Sequence, residues 1–117
     1  MNSAHALATR IYLGLTVNQL ADILDVHERS VRRWEDPERD GPPPGVVDEL
    51  TELVSRYDAL VDALVDDDGD TIAIPRHPGA PRPAWAPRDT PHELLVAATA
   101  LAALSADKTV TWEQGAD

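Results

Sequence analysis

Three arginines near the start of the chain have a spacing that suits the binding of anions. Arg29, Arg32 and Arg33 lie within a run that contains no acidic residue. On a helix, residues three and four positions apart share one face. A guanidinium group keeps its charge at neutral pH and can donate two parallel hydrogen bonds to a phosphate or to the edge of a guanine. The spacing therefore indicates a surface that binds nucleic acid.

The residues around these arginines predict two short helices joined by a tight turn. Thr16 is a good N-cap and Gln19 completes a capping box with it, so the first of the two helices should begin at about Val17. In the second helix, Val31 and Trp34 are three residues apart and should bury one edge. The arginines lie roughly opposite that edge, where a helix laid in a DNA groove would need them.

The run LTVNQLADILDVHERSVRRWE, from Leu15 to Glu35, resembles the helix-turn-helix of the XRE, or Cro/C1 repressor, family. The resemblance covers about a fifth of the chain and is carried by Leu15, Thr16, Leu20, Ala21, Leu24, Val26, Val31, Trp34 and Glu35. It implies a lambda-repressor-like bundle whose second helix enters the major groove of double-stranded DNA. Two residues depart from the family pattern. Asp25 stands in the turn where glycine is usual, and His27 stands where serine or threonine often caps the second helix.

The DNA-binding residues that follow from this assignment are Thr16, Asn18, His27, Glu28, Arg29, Ser30, Arg32 and Arg33. Arg29 is best placed to read a guanine, whereas Arg32 and Arg33 can contact bases or phosphates. Glu28 either accepts a hydrogen bond from a cytosine amino group or, as a first-turn acid, favours the helix N-terminus. Thr16 and Asn18 can clamp a phosphate together with free helix amides. Capping alone explains Thr16 equally well.

The overall charge opposes this interpretation. The chain carries a net charge of −11, with six arginines against ten acids in residues 1–57 and four basic residues against eleven acids in residues 58–117. Acidic proteins repel nucleic acid at long range. Any binding to DNA must therefore rest on the local arginine patch and depend strongly on salt. A helix-turn-helix that never touches DNA stays open as an alternative.

No pattern in the chain indicates an enzyme. Without cysteine there are no disulfides and no thiolate metal sites, which agrees with a cytoplasmic protein. The four histidines, His5, His27, His77 and His92, have no metal-ligand spacing, and no nucleophile motif or glycine-rich phosphate loop is present. The most apolar run, Leu94 to Leu104, is too short to span a bilayer. We therefore expect no cofactor, no metal and no membrane association.

Helices flank the resembling region on both sides. Ser3 can cap a first helix, Gly14 can end it, and the apolar positions with helical spacing between them are Ala4, Leu7, Ala8 and Ile11. Prolines make Asp36 to Gly45 a loop. A long amphipathic helix should then run from Val46 to Val65, with its apolar face formed by Val46, Leu50, Leu53, Tyr57, Leu60 and Leu64. The second half of that helix suggests a partner surface, although it can also pack on the C-terminal segment.

The C-terminal segment predicts a strand, a helix and a second strand. An acidic turn follows the long helix; a calcium loop is the alternative, but the spaced ligands of an EF-hand are missing. Thr71 to Ile74 and Thr109 to Trp112 alternate as strands do. Between them lie a proline-rich connector, for which a polyproline ligand is the alternative, and a helix capped by Thr90 with Pro91 and Glu93 that ends at about Leu104. The strands can form a parallel crossover, a hairpin or a pairing between subunits.

The expected fold is mainly α with a small β component, in which residues 1–66 form a helix-turn-helix domain and residues 67–117 a strand-helix-strand dimerisation segment. The dimerisation residues should be Tyr57, Leu60, Leu64, Leu94, Leu95, Ala98, Leu101 and Trp112. In order of elements the chain also resembles small phage and anti-CRISPR-associated autorepressors. This implies a homodimer on an inverted repeat, with recognition helices about 34 Å apart. The alternative is an antitoxin-type protein whose C-terminal part binds a protein partner.

Overall fold

The computed structural model describes residues 1–114 and is mainly helical, with a small sheet. Its elements are α1 Ser3–Tyr12, α2 Val17–Leu24, α3 Glu28–Trp34, α4 Pro44–Asp66, β1 Thr71–Ile74, α5 His92–Ala106 and β2 Thr109–Trp112. The chain divides into two compact units, Met1–Arg56 and Tyr57–Asp117, whose boundary lies inside α4. The expected domains, 1–66 and 67–117, divide instead at the C-terminal end of that helix. Among residues 1–114, no helix is both long and apolar enough to cross a membrane.

Helix α1 has a different N-cap and a different buried face from those predicted. Its N-cap is Asn2, whose side chain accepts a hydrogen bond from the His5 amide, so the predicted Ser3 cap is one residue late. The buried positions are Ser3, Ala6 and Thr9, whereas the apolar residues singled out from the sequence are exposed: Ala4, Leu7, Ala8 and Ile11. Small side chains let α1 approach its neighbours closely. Gly14, with φ of 72°, ends the helix in the left-handed conformation as predicted.

Helix α2 and the turn after it form as the sequence predicts. Thr16 Oγ1 accepts from the Gln19 amide at 3.1 Å, and Gln19 Oε1 accepts from the Thr16 amide at 2.9 Å, which completes the capping box. The helix ends at Asp25, a non-glycine residue with φ of 55°. The amide of Val26 then donates to the Ala21 carbonyl at 3.0 Å, as in a Schellman motif. This local bond lets an aspartate hold a conformation that glycine adopts more easily.

Helix α4 closes the core of the first unit with its first half. The helix begins at Pro44, so the predicted loop to Gly45 is two residues too long; proline fits the first turn because it needs no amide partner there. Leu50 and Leu53 are buried. Leu53 also lines a groove with Ile23 and Leu24 of α2. The remaining large side chains of this core are Leu13, Leu15, Leu20 and Val31.

The loop between α3 and α4 passes close to the start of the chain. Gly41 has φ of 92°, and a Cβ atom at this position would lie 2.7 Å from the Met1 carbonyl oxygen. Both the conformation and the close approach therefore require glycine here. The loop is tied to the N-terminus of α1 by this contact.

The second unit contains a parallel crossover within one chain. Strands β1 and β2 pair in parallel, with Thr71 opposite Thr109 and Ile74 opposite Trp112, and α5 connects them. This decides among the three pairings that the sequence left open. Helix α5 begins at His92 with Pro91 at the N-cap and makes no side-chain cap hydrogen bond, so the predicted Thr90 cap is one residue early. The absence of charged residues between Leu94 and Leu104 predicts that α5 is covered on nearly all sides. Leu104 is nevertheless 85% exposed.

The predicted dimerisation residues are mostly core residues of this unit. Six of the eight are at most 8% exposed in the single chain: Tyr57, Leu60, Leu64, Leu94, Leu95 and Ala98. They therefore have no free surface to offer a second copy, because the second half of α4 packs with the C-terminal segment. Of the eight, only Leu101, which is half-buried, and Trp112, which is exposed, keep accessible surface.

Replacing Asp25 with glycine should raise the free energy of unfolding by about 0.5–1 kcal/mol, because glycine adopts a positive φ without a clash at Cβ. The matched control is Asp22→Gly, an exposed position inside α2. There the same substitution should lower the free energy of unfolding by about 0.3 kcal/mol, the difference in helix propensity. Urea unfolding followed by circular dichroism measures both values. The same sign for both variants would contradict the strain assigned to Asp25.

Candidate nucleic-acid interface

Helix α3 presents Arg29, Arg32 and Arg33 to solvent; we call these three residues the arginine face. All three side chains are exposed, while Val31 on the opposite side of the helix is completely buried. Arg32 pairs with Glu28 at 3.3 Å, and both groups are solvent-exposed, so the pair is weak. Within residues 1–114, Arg29 and Arg33 have no carboxylate partner. Two full positive charges thus remain for an anionic ligand.

The predicted recognition residues come together on one surface. A single open concavity is lined by His27, Glu28, Arg29, Ser30, Arg32 and Arg33. His27 takes the N-cap position of α3 but makes no side-chain cap hydrogen bond. The amides at the start of α3 therefore lack the cap that serine or threonine would supply. Chemically, the concavity offers guanidinium and imidazole donors and one carboxylate acceptor.

The two phosphate-binding candidates of α2 differ in their availability. The Thr16 hydroxyl accepts the capping-box hydrogen bond from the Gln19 amide, so capping alone explains the presence of threonine here. Asn18 is exposed in the first turn of α2. First-turn amides point out of a helix N-terminus and attract anions. Asn18 is therefore the better of the two candidates for a side-chain contact.

A nearly buried ion pair holds the end of α3 in place. Arg10 of α1 donates to Glu35 through Nε and Nη2, both at 2.8 Å, and the two side chains are 12% and 11% exposed. Arg10 Nη1 also donates to the Leu15 carbonyl at 3.0 Å, in the segment that leads into α2. The hydrogen bond to Glu35 raises the pKa of Arg10, against the effect of burial. One guanidinium thereby connects α1, the start of α2 and the end of α3.

Sequence reasoning did not identify this pair. Arg10 and Glu35 are separated by 25 residues, so no helical or strand periodicity relates them. Glu35 is recognisable only as the last residue of the resembling run, and Arg10 only as a basic residue in the last turn of a helix. Arg10 positions these elements, since its guanidinium is used in hydrogen bonds to Glu35 and the Leu15 carbonyl and its side chain is 12% exposed.

The described part of the chain holds no cluster of three histidine or acidic side chains that could bind a metal ion. No protein-family model matches the chain, and no curated protein or solved structure matches it either. The candidate site therefore stands on its own geometry.

Replacing Arg10 with methionine should lower the free energy of unfolding by about 2–3 kcal/mol, because Glu35 would keep its charge in a nearly buried position without a partner. The double variant Arg10→Met with Glu35→Leu should recover most of the loss, since an apolar pair of similar size leaves no buried charge. Thermal and urea unfolding measure these differences.

The matched control is Arg39→Met, which removes an exposed contact to Asp36 at 3.7 Å. It should change the free energy of unfolding by at most about 0.5 kcal/mol. Equal losses for Arg10→Met and Arg39→Met would contradict the importance assigned to the Arg10–Glu35 pair.

Proposed function

We propose that this protein is a sequence-specific repressor that binds double-stranded DNA through the arginine face of α3. The observation that carries the proposal is that, within residues 1–114, Arg29 and Arg33 are exposed and have no carboxylate partner, while Val31 anchors the opposite side of their helix. An exposed helix of this kind fits the width of the major groove.

The arrangement of α2 and α3 supports a helix-turn-helix assignment. Three residues, Asp25 to His27, separate the two helices, and the left-handed Asp25 turns the chain sharply between them. Motifs of this class join two helices through such a turn and place the second helix in the groove. The Arg10–Glu35 pair keeps α3 at a defined angle, which a reader of base edges requires.

Within this proposal the residues divide between base contacts and phosphate contacts. Residues near the start of a recognition helix reach base edges, and those further along hold phosphates. Arg29, in the first turn of α3, reads a guanine through its O6 and N7 atoms. Arg33, one turn later, binds a phosphate. Arg32 must exchange its exposed contact with Glu28 before it can bind DNA.

The net charge of −11 makes non-specific binding weak. Such a protein distinguishes its operator from other DNA more sharply. A random sequence offers only phosphate contacts, and these must overcome the repulsion between the acidic protein and the DNA backbone. One recognition helix then buries too little surface for stable binding. We therefore propose that the protein acts as a homodimer on an inverted repeat, and that repression follows from occupying a promoter.

Replacing Arg29 with alanine should weaken binding to the selected operator by about 1–3 kcal/mol and relax the preference at one base position of each half-site. The operator is first selected from a random duplex library with the wild-type protein. Fluorescence anisotropy with single-base variants of that operator then measures both effects. Arg39→Ala, an exposed arginine outside the arginine face, is the control and should keep the base preference.

Loss of affinity that is equal for every sequence would contradict base reading by Arg29. An unchanged affinity would contradict the arginine face as the interface.

Replacing Arg33 with alanine should instead reduce the slope of log K against log salt concentration by about 0.9, because one phosphate contact and its counterion release are lost. Titrations of the same operator over a series of salt concentrations measure the slope. The base preference should stay as in the wild-type protein. An unchanged slope would contradict the phosphate contact.

A further inference from the structure

The two edges of the small sheet differ in the partners that their outward-facing backbone groups have. At the β1 edge, the indole Nε1 of Trp85 in the proline-rich connector donates to the outward-facing Ala73 carbonyl at 2.9 Å, so that acceptor already has a partner within the chain. At the β2 edge, no further strand lies beside β2 within residues 1–114, and all four residues of β2 are exposed. An unpaired strand edge without charged side chains is a template for pairing with another strand.

The register shows which backbone groups remain unpaired. The amide of Thr109 donates to the Asp70 carbonyl at 2.9 Å, and the amide of Glu113 donates to the Ile74 carbonyl at 2.7 Å. Alternate residues of a strand direct their backbone groups to opposite sides. Val110 and Trp112, which alternate with these donors, therefore direct their N–H and C=O groups away from β1.

The apolar face of the sheet is also incomplete on the β2 side. Val110 is opposite Ile72 and Trp112 is opposite Ile74, so these four side chains share one face. Ile72 is 3% exposed, whereas Val110 is 42% and Trp112 is 54% exposed. The layer that covers β1 thus covers β2 only in part. An added strand would continue both the hydrogen bonds and the apolar face.

We infer that β2 pairs antiparallel with β2 of a second copy of this chain, about a two-fold axis beside Thr111. In this register Val110 exchanges both backbone hydrogen bonds with Trp112 of the second copy, and the reverse pair forms by symmetry. Every outward-facing backbone group of β2 then has a partner. On the apolar face, valine lies opposite tryptophan, and on the other face Thr111 lies opposite Thr111 of the second copy; both pairings are favourable.

The sequence of β2 is compatible with a second copy of itself, which favours a second copy as the occupant. Two chains with a net charge of −11 repel each other, but the strand TVTW is uncharged. In the proposed register Glu113 lies opposite Thr109 and Lys108 lies opposite Gln114, so no like charges meet. The pairing specifies the dimer contact on which the proposed function relies, yet it forms without DNA and is measured without it.

The charge of residue 111 tests this pairing directly. Thr111→Lys and Thr111→Asp each place two like charges opposite each other. The dissociation constant of the dimer should therefore be at least about tenfold higher for each variant alone than for the wild type. An equimolar mixture should restore the dimer, because lysine then lies opposite aspartate. Ser105→Lys, at an exposed position of α5, is the control and should leave the dimer unchanged. Sedimentation equilibrium over a dilution series measures five samples: the wild type, the two single variants, their mixture and the control.

Amide exchange measured by NMR tests the pairing without any substitution. The Val110 and Trp112 amides should be protected at high protein concentration and exchange on dilution. The Thr109 amide, which donates within the chain, should stay protected in both conditions. The pairing would be overturned by any of three results. These are a wild-type protein that stays monomeric, a mixture of the two charge variants that does not restore the dimer, and Val110 and Trp112 amides whose exchange does not change on dilution. A dimer that forms this way but does not bind DNA would overturn the proposed function and leave the pairing intact.

Discussion

The Arg10–Glu35 ion pair is the interaction on which the N-terminal unit depends. α3 has only seven residues, too few to be stable as an isolated helix. Its inner side contributes Val31 to the core, and its last turn is held by the guanidinium of Arg10. The same group binds the Leu15 carbonyl before α2. The charge-assisted hydrogen bonds of one largely buried guanidinium therefore join α1, the segment before α2 and the end of α3. Such bonds are stronger than neutral ones.

This arrangement explains how an acidic protein can keep a usable basic surface. Glu35 is neutralised inside the helical core by Arg10, so its charge does not oppose the arginine face. Glu28 opposes it only through an exposed contact to Arg32. In the proposed DNA binding, the remaining acids reduce long-range attraction to DNA, which leaves short-range contacts to provide affinity. The chemistry of the site thus depends on the position of each charge more than on the total.

The C-terminal unit meets a different constraint, because a two-stranded sheet is marginal by itself. Its helix α5 supplies apolar cover, and Lys108 donates to the Leu64 and Asp67 carbonyls at 2.7 and 2.6 Å, which caps the end of α4. Most of the apolar residues that the sequence suggested for a dimer interface are buried by packing within this unit. They leave the backbone edge of β2 and the side chains of Val110 and Trp112 uncovered. The proposed association therefore uses a strand edge rather than a buried helix face.

Local rules were enough to predict much of the chain. The capping box of Thr16, the left-handed Gly14, both strands and the spacing of the three arginines depend on neighbours within a few residues, and each is visible in the sequence. Only the tertiary structure decided which face of α1 is buried, that Arg10 meets Glu35, that Tyr57 packs within its own chain and that β1 pairs with β2 in parallel. These features join residues far apart in sequence. Their partners are set by how elements of given length and shape pack, which periodicity does not encode.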